Sequence, residues 1–183
     1  RKSIQLLVVI DSSDPACFLR ASEAVWWVFH PPGTEPIGMS LHGTYDPQNI
    51  FALIIRGDLP CYKLYEDDDV LAFLDLFPQS KGHSLVIPKR AAARNILDID
   101  DASLAKVMAV VKKVTQAVVD ELQPAGVQVA QFNGAPAGQT VFHIHVHVIP
   151  RFEGEGLGIH AANKADPAEL EALQARLVKR LQG

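Results

Sequence analysis

Apolar positions along this chain change period several times, and each change marks an element. "DPQNIFALIIRGD" (46–58) is an apolar cluster opened by Asp46–Pro47 and stopped by Gly57, which predicts a short helix. "CYKLYED", "VLAFLDL" and "HSLVIPK" read as three strands, the first two joined by an acidic turn around Asp67 and Asp68. In "DIDDASLAKVMAVVKKVTQAVVDELQP", Leu104, Val107, Met108, Val111, Val114, Val118 and Leu122 recur every three or four residues, so a long amphipathic helix is expected, ended by Pro124 and Gly126. "GVQVAQFN" is a fourth strand, "NGAPAG" a tight loop and "TVFHIHVHVIP" (140–150) a fifth strand. "DPAELEALQARLVKRL" makes a C-terminal helix with Asp166 as N-cap and Pro167 at its first position. Strands in runs with one long helix between them predict an α+β fold: an antiparallel five-stranded sheet, one long helix, a short N-terminal helix and a C-terminal helix. No internal repeat is present.

The first 38 residues lack any sustained period and hold both tryptophans, Trp26 and Trp27, with the punctuation "HPPGTEP". Met39 then leads into the patterned body. The expectation is a dispensable extension, residues 1–38, upstream of the natural start, followed by one domain, residues 39–183.

The fifth strand is unusual. His143, His145 and His147 alternate with Ile144, Val146 and Val148. Side chains alternate faces along a strand, so the three imidazoles share one face and the aliphatic residues pack on a core with the other. Same-face neighbours sit roughly 6.5–7 Å apart, so the row spans about 13 Å. A merely polar face, a metal site and a catalytic row all fit the spacing. Two histidines at i and i+2 converge on one ion, whereas a third on a straight strand lies too far along to join easily. A catalytic row, one histidine acting and its neighbours orienting it and holding an anion, is the preferred reading. The loop just before it supports that choice: its glycines let backbone approach a ligand, and Asn133, Gln139 and Thr140 offer neutral hydrogen bonds to oxyanions.

Composition narrows the field. The chain has 183 residues, 48% of them hydrophobic, and a net charge of −4, so it has core enough for one domain and no basic footprint for nucleic acid. Cys17 and Cys61 form neither a disulfide framework nor a metal knuckle. No apolar run approaches the roughly 20 residues of a membrane span. "RKSIQLLVVIDSS" is a poor signal peptide, since its short apolar run ends in Asp11 with no clean cleavage site. A cytoplasmic protein is expected.

"HIHVHVI" resembles the triad of the histidine triad (HIT) family, and "IFALIIRGDLPCYKLYEDDDVLAFLDLFPQSKGHSLVIPK" and "NGAPAGQTVFHIHVHVIPR" resemble that family's blocks in the same order. The resemblance covers residues 46–151. It implies a purine nucleotide hydrolase or transferase that cleaves nucleoside 5′-phosphoramidates or related substrates at the α-phosphate through a covalent nucleotidyl-histidine. The alternatives are a dinucleoside polyphosphate hydrolase and a nucleotide-binding scaffold with incidental hydrolysis. By position, His145 is the nucleophile, its Nδ1–H held by the carbonyl of His143. His147 donates to a phosphate oxygen, and His83 supports the triad from a neighbouring strand. Gln139 and Thr140 bind the α-phosphate or assist the leaving group, with Asn133 beside them. Asp75 accepts from both ribose hydroxyls, and Phe51, Ile54, Leu59, Phe73 and Leu76 clamp the base. Some bacterial relatives carry a structural zinc where this chain has Asn49, Ala52 and Ala91, which cannot ligate it; no metal and no cofactor are expected. A homodimer is expected too. Relatives pair sheets edge to edge, "GVQVAQF" is an apolar strand of the kind found at an edge, and Val110, Val111, Val114, Val118 and Val119 give the long helix a broad apolar surface.

Overall fold

A computed structural model describes residues 41–156 and 164–183. The expectation for residues 1–38 lies outside the described residues. Helix α1 (Ile50–Arg56) is followed by β1 (Tyr62–Glu66), β2 (Val70–Leu74), β3 (Ser84–Pro88), α2 (Asp101–Leu122), β4 (Gly126–Ala130), β5 (Val146–Arg151) and α3 (Pro167–Gln182). The strands form one antiparallel sheet in the order β1-β2-β3-β5-β4. This is the α+β architecture expected from the sequence.

Local chemistry explains the boundaries. The Asp46–Pro47 pair does not open α1. Asp46 instead accepts the N–H of Gln48, and Asn49 caps the helix by accepting from Phe51 and Ala52. Gly57 closes it in the left-handed region at φ 81°, which only glycine adopts without strain. Asp67 accepts the N–H groups of Asp69 and Val70 and so builds the β1–β2 turn. Asp100 caps α2 through Ser103, and Asp166 caps α3 through Ala168 with Pro167 behind it.

Strands β2 and β3 are buried at every position, because both faces of the sheet are covered there. On one face lies α2, with Val107, Val111, Val114 and Val118 inward. Leu170, Leu173 and Leu177 dock α3 against α2 and β1. Full burial of such side chains contributes roughly 1.5–3 kcal/mol each, far more than the exposed Arg176 and Arg180 pairs with Glu121. On the other face Phe51, Leu71, Phe73, Leu85 and Ile87 form a cluster joined by Ile54 and Val141.

Two further expectations are corrected. Val110, Val111, Val114 and Val118 are all buried within this chain, so the broad apolar surface of the long helix is internal; Met108 and Val119 are its exposed large apolar side chains. Strand β5 starts at Val146 rather than Thr140, because the Ile144 N–H leaves the sheet and donates to the carbonyl of Ala93. Strand β4 is the open edge, with Val129 exposed. No helix among the described residues is long and apolar enough to cross a membrane.

Candidate active site

The period-two alternation survives the late start of β5. Ile144 packs against Ala93 and Ile99 on the helix side. The imidazoles turn to the opposite face, where Phe51 meets the rings of His143 and His145 edge-on. The rings of His145 and His147 lie 4.9 Å apart. His143, His145 and His147 are nevertheless buried, together with His83.

Hydrogen-bond partners, most of them backbone groups, fix the tautomer of each ring. His145 Nδ1 lies 2.7 Å from the carbonyl oxygen of His143. A carbonyl only accepts, so Nδ1 carries the proton and Nε2 keeps a bare lone pair. His143 Nε2 lies 3.0 Å from the Pro88 carbonyl, so it donates there and its Nδ1 is the acceptor. On β3's side, the Gln79 N–H points at His83 Nδ1 from 3.1 Å, which makes His83 Nε2 the donor to His147 Nδ1 at 2.9 Å. His147 is left with its proton on Nε2. The row therefore offers one nucleophilic nitrogen, on His145, beside one N–H donor, on His147.

Burial reinforces this. Desolvation lowers His145 to about 4 against the pull of the His143 carbonyl, and likewise lowers His143 to about 4. Both rings are neutral at pH 7.

Asp75 follows β2 on the same face as Leu71 and Phe73. Its Oδ1 accepts the Phe77 N–H, and its Oδ2 lies 3.4 Å from His83 Nδ1. Burial raises its carboxyl to about 6, which leaves it ionised near neutrality and short of partners. It lines a cavity of about 310 Å³ with His83, Ser80 and Lys81.

The loop before the triad departs from expectation. Gln139 is 2% exposed, and its side chain is committed to backbone. The amide oxygen accepts the Gly134 N–H at 2.8 Å, and the amide nitrogen donates to the carbonyls of Arg94 and Val141 at 2.6 and 3.0 Å. These bonds brace the loop from within. Asn133 accepts the Ile96 N–H through Oδ1, so only its amide N–H groups face outward duty. Thr140 is exposed at the loop's end. Of the expected clamp, Phe51, Ile54 and Phe73 come together, whereas Leu59 and Leu76 are half-buried outside that cluster.

Three contributors escaped the sequence reading. Tyr45 donates to His143, Phe132 meets the ring of His147 at a tilt with the centroids 5.2 Å apart, and Gln79 acts through its backbone. Lone aromatics in "GTYDP" and "AQFNG" have no periodic signal, and a backbone donor has none at all.

Zinc does not fit beside His143. Asn49 spends its side chain on capping α1, Ala52 and Ala91 have no donor atom, and His143 Nδ1 is taken by Tyr45. Asp75, His83 and His147 bring ligand-type atoms within 4.8 Å of one another. The His83–His147 nitrogens, however, sit 2.9 Å apart in a hydrogen bond, closer than the roughly 3.3 Å that two 2.0 Å zinc bonds at a tetrahedral angle require.

A five-stranded antiparallel sheet carrying three alternating, tautomer-fixed histidines on one face defines a histidine triad protein. The HIT domain matches residues 56–154, and the chain belongs to the HIT family. It is 42% identical over 136 residues to Protein hit of Bacillus subtilis, covering 72% of this chain and 93% of that one. It is 45% identical over 126 residues to the adenosine 5′-monophosphoramidase hnt1 of Schizosaccharomyces pombe, covering 68% and 91%. Among solved structures, the Hit-like protein of Bartonella henselae superposes with a TM-score of 0.71 at 43% identity, covering 75% of this chain and 99% of that one.

Proposed function

We propose that this chain hydrolyses purine nucleoside 5′-phosphoramidates or related nucleotidyl substrates at the α-phosphate, through a covalent intermediate on His145. One observation carries the reading: the buried His145 has its Nδ1 proton pinned to the His143 carbonyl, so a neutral ring presents a bare Nε2 beside the Nε2–H of His147. The name and the 45% identity of the fission-yeast phosphoramidase support the substrate class.

The Nε2 lone pair of His145 attacks phosphorus, the bond from phosphorus to the leaving nitrogen or oxygen breaks, and the leaving group takes up a proton from solvent. The Nδ1–H bond to the His143 carbonyl strengthens as the ring becomes cationic. His147 donates to a non-bridging oxygen, where charge accumulates. Water then attacks phosphorus and gives a proton to solvent, the N–P bond breaks with its electron pair returning to Nε2, and the nucleoside monophosphate leaves. Two displacements by way of imidazole replace one attack of water on an anionic ester. Asp75 accepts from the ribose diol, Phe51, Ile54 and Phe73 hold the base, and Thr140 and the amide of Asn133 flank the phosphate. Gln139 holds the loop that positions them. No cofactor takes part.

Turnover of adenosine phosphoramidate, set beside diadenosine polyphosphate cleavage and equilibrium AMP binding, tests the assignment. Faster phosphoramidate turnover is expected. Preferential cleavage of the dinucleotide would reassign the substrate, and AMP binding without turnover would leave a binding protein. The exposed β4 edge further supports a homodimer paired along that strand. Sedimentation at micromolar concentration should give twice the chain mass; a monomer would refute that pairing.

A further inference from the structure

We infer that Tyr45 is a positioning residue for the triad: its phenol O–H locks the first histidine, and through that histidine's carbonyl it sets the tautomer and aim of the nucleophile. Tyr45 lies ahead of α1, remote in sequence from the histidines. Its hydroxyl nevertheless sits 2.6 Å from His143 Nδ1, with the two rings 5.7 Å apart. The direction of that bond follows from the other side of the ring. His143 Nε2 must donate to the Pro88 carbonyl, so Nδ1 has only a lone pair to offer, and the phenol is the donor.

His143 is thus held at both nitrogens, by the end of β3 on one side and by the segment before α1 on the other. It is 1% exposed. Its carbonyl is the acceptor that pins His145 Nδ1–H. Without the phenol, Nδ1 of a buried ring loses the donor that the fold places against it. The ring then gains by turning over or by taking up a proton, and either change disturbs the carbonyl to which His145 is tied. Burial raises the phenol's pKa, which keeps its proton in place across the neutral range. Tyr45 and His143 border a cavity of about 180 Å³ whose lining also includes Ala52, Ala91 and the cations Arg56, Lys89 and Arg90, and among these residues Tyr45 is the one whose side chain bonds to His143 Nδ1.

The consequence for turnover rests on His145 acting as nucleophile; the consequence for His143 does not. In Tyr45→Phe the ring remains and only the hydroxyl goes. With adenosine phosphoramidate as substrate, kcat should fall by about tenfold or more, the order expected when one buried hydrogen bond is left unmade. KM should change little, because the hydroxyl that is removed bonds to His143. The histidine ¹⁵N and ¹³C NMR spectrum of the unaltered protein should show His143 with its proton on Nε2 and Nδ1 as acceptor. In Tyr45→Phe the His143 signals should begin to titrate at higher pH, since a donor to Nδ1 favours the neutral ring. A proton on His143 Nδ1 in the unaltered protein would overturn the proposal even if the variant failed to fold. A variant that loses thermal stability yet keeps kcat and the His143 titration would reduce Tyr45 to packing, and would overturn it as well. If no nucleotide is turned over but the spectra behave as stated, the fault lies with the assigned reaction and not with the Tyr45 lock.

Discussion

Replacing Gln139 by leucine separates two roles that this residue could play. Its side chain makes three hydrogen bonds, to the Gly134 N–H and to the carbonyls of Arg94 and Val141, in a site that is 2% exposed. Leucine fills similar space and satisfies none of these groups. Each buried polar group left without a partner costs about 1–3 kcal/mol. Because the loop is able to relax and wet some of them, a total of roughly 3–5 kcal/mol is expected. That is a large share of the 5–15 kcal/mol that typically holds a domain together. At about 2–4 °C per kcal/mol for a chain of this size, the melting midpoint should drop by about 10 °C. Urea denaturation followed by circular dichroism measures the free energy, and thermal melts provide the check. Glutamate at the same position keeps the acceptor for Gly134 but sets a carboxyl against two carbonyls, so it should be no milder. A leucine variant that melts within a degree or two of the original, while its KM for nucleotide rises steeply, would refute the reasoning and restore Gln139 as a phosphate ligand.

The remaining predictions concern pH and metals. Asp75, with its carboxyl raised to about 6, is ionised above that pH and gains a proton below it, so KM for the nucleotide should climb as pH falls through 6. His145, lowered to about 4, stays a free nucleophile throughout that range, so kcat should hold until much lower pH; a kcat limb at 6.5 would count against the assignment. Stability should follow the two depressed histidines. The unfolded chain takes up protons at 6.5 and the folded chain only near 4, so stability is complete above 6.5 and is lost as pH falls toward 4. Asp75, shifted the other way, offsets part of this below 6, which leaves a net loss on the order of 3 kcal/mol, measurable by urea titration. Activity should survive exhaustive chelation, since the groups around His143 provide no zinc site; loss that zinc restores would contradict this.

The elements were legible because their signals are local. The three-to-four repeat from Leu104 to Leu122 and the Asp166–Pro167 start of the last helix depend on neighbours within a turn or two. So did the sharing of one face by the histidines, since alternation outlasts regular strand pairing. What was lost depends on contacts between distant segments. The valines of α2 look like an open surface until α3, some fifty residues later, is folded against them. The Gln139 amide serves oxyanions and carbonyls alike, and its bonds to Arg94 and Gly134 come from segments that the sequence does not bring together. Asn49 rather than Asp46 caps α1, a choice between two competent residues that the sequence leaves open. The partners that fix the tautomers are mostly backbone groups, and no residue type announces them.

The central claim is that the Nε2 of His145 becomes bonded to phosphorus. Acid-labile N–P bonds survive an alkaline quench, so the direct measurement is mass spectrometry of peptides from enzyme quenched in base during turnover of adenosine phosphoramidate, together with the same measurement on His145→Ala. An adenylyl group is expected on the peptide carrying His145. None is expected on the alanine variant, which should still bind AMP but turn over no substrate. Substantial turnover by His145→Ala, or an adenylyl group on a different residue, would contradict it.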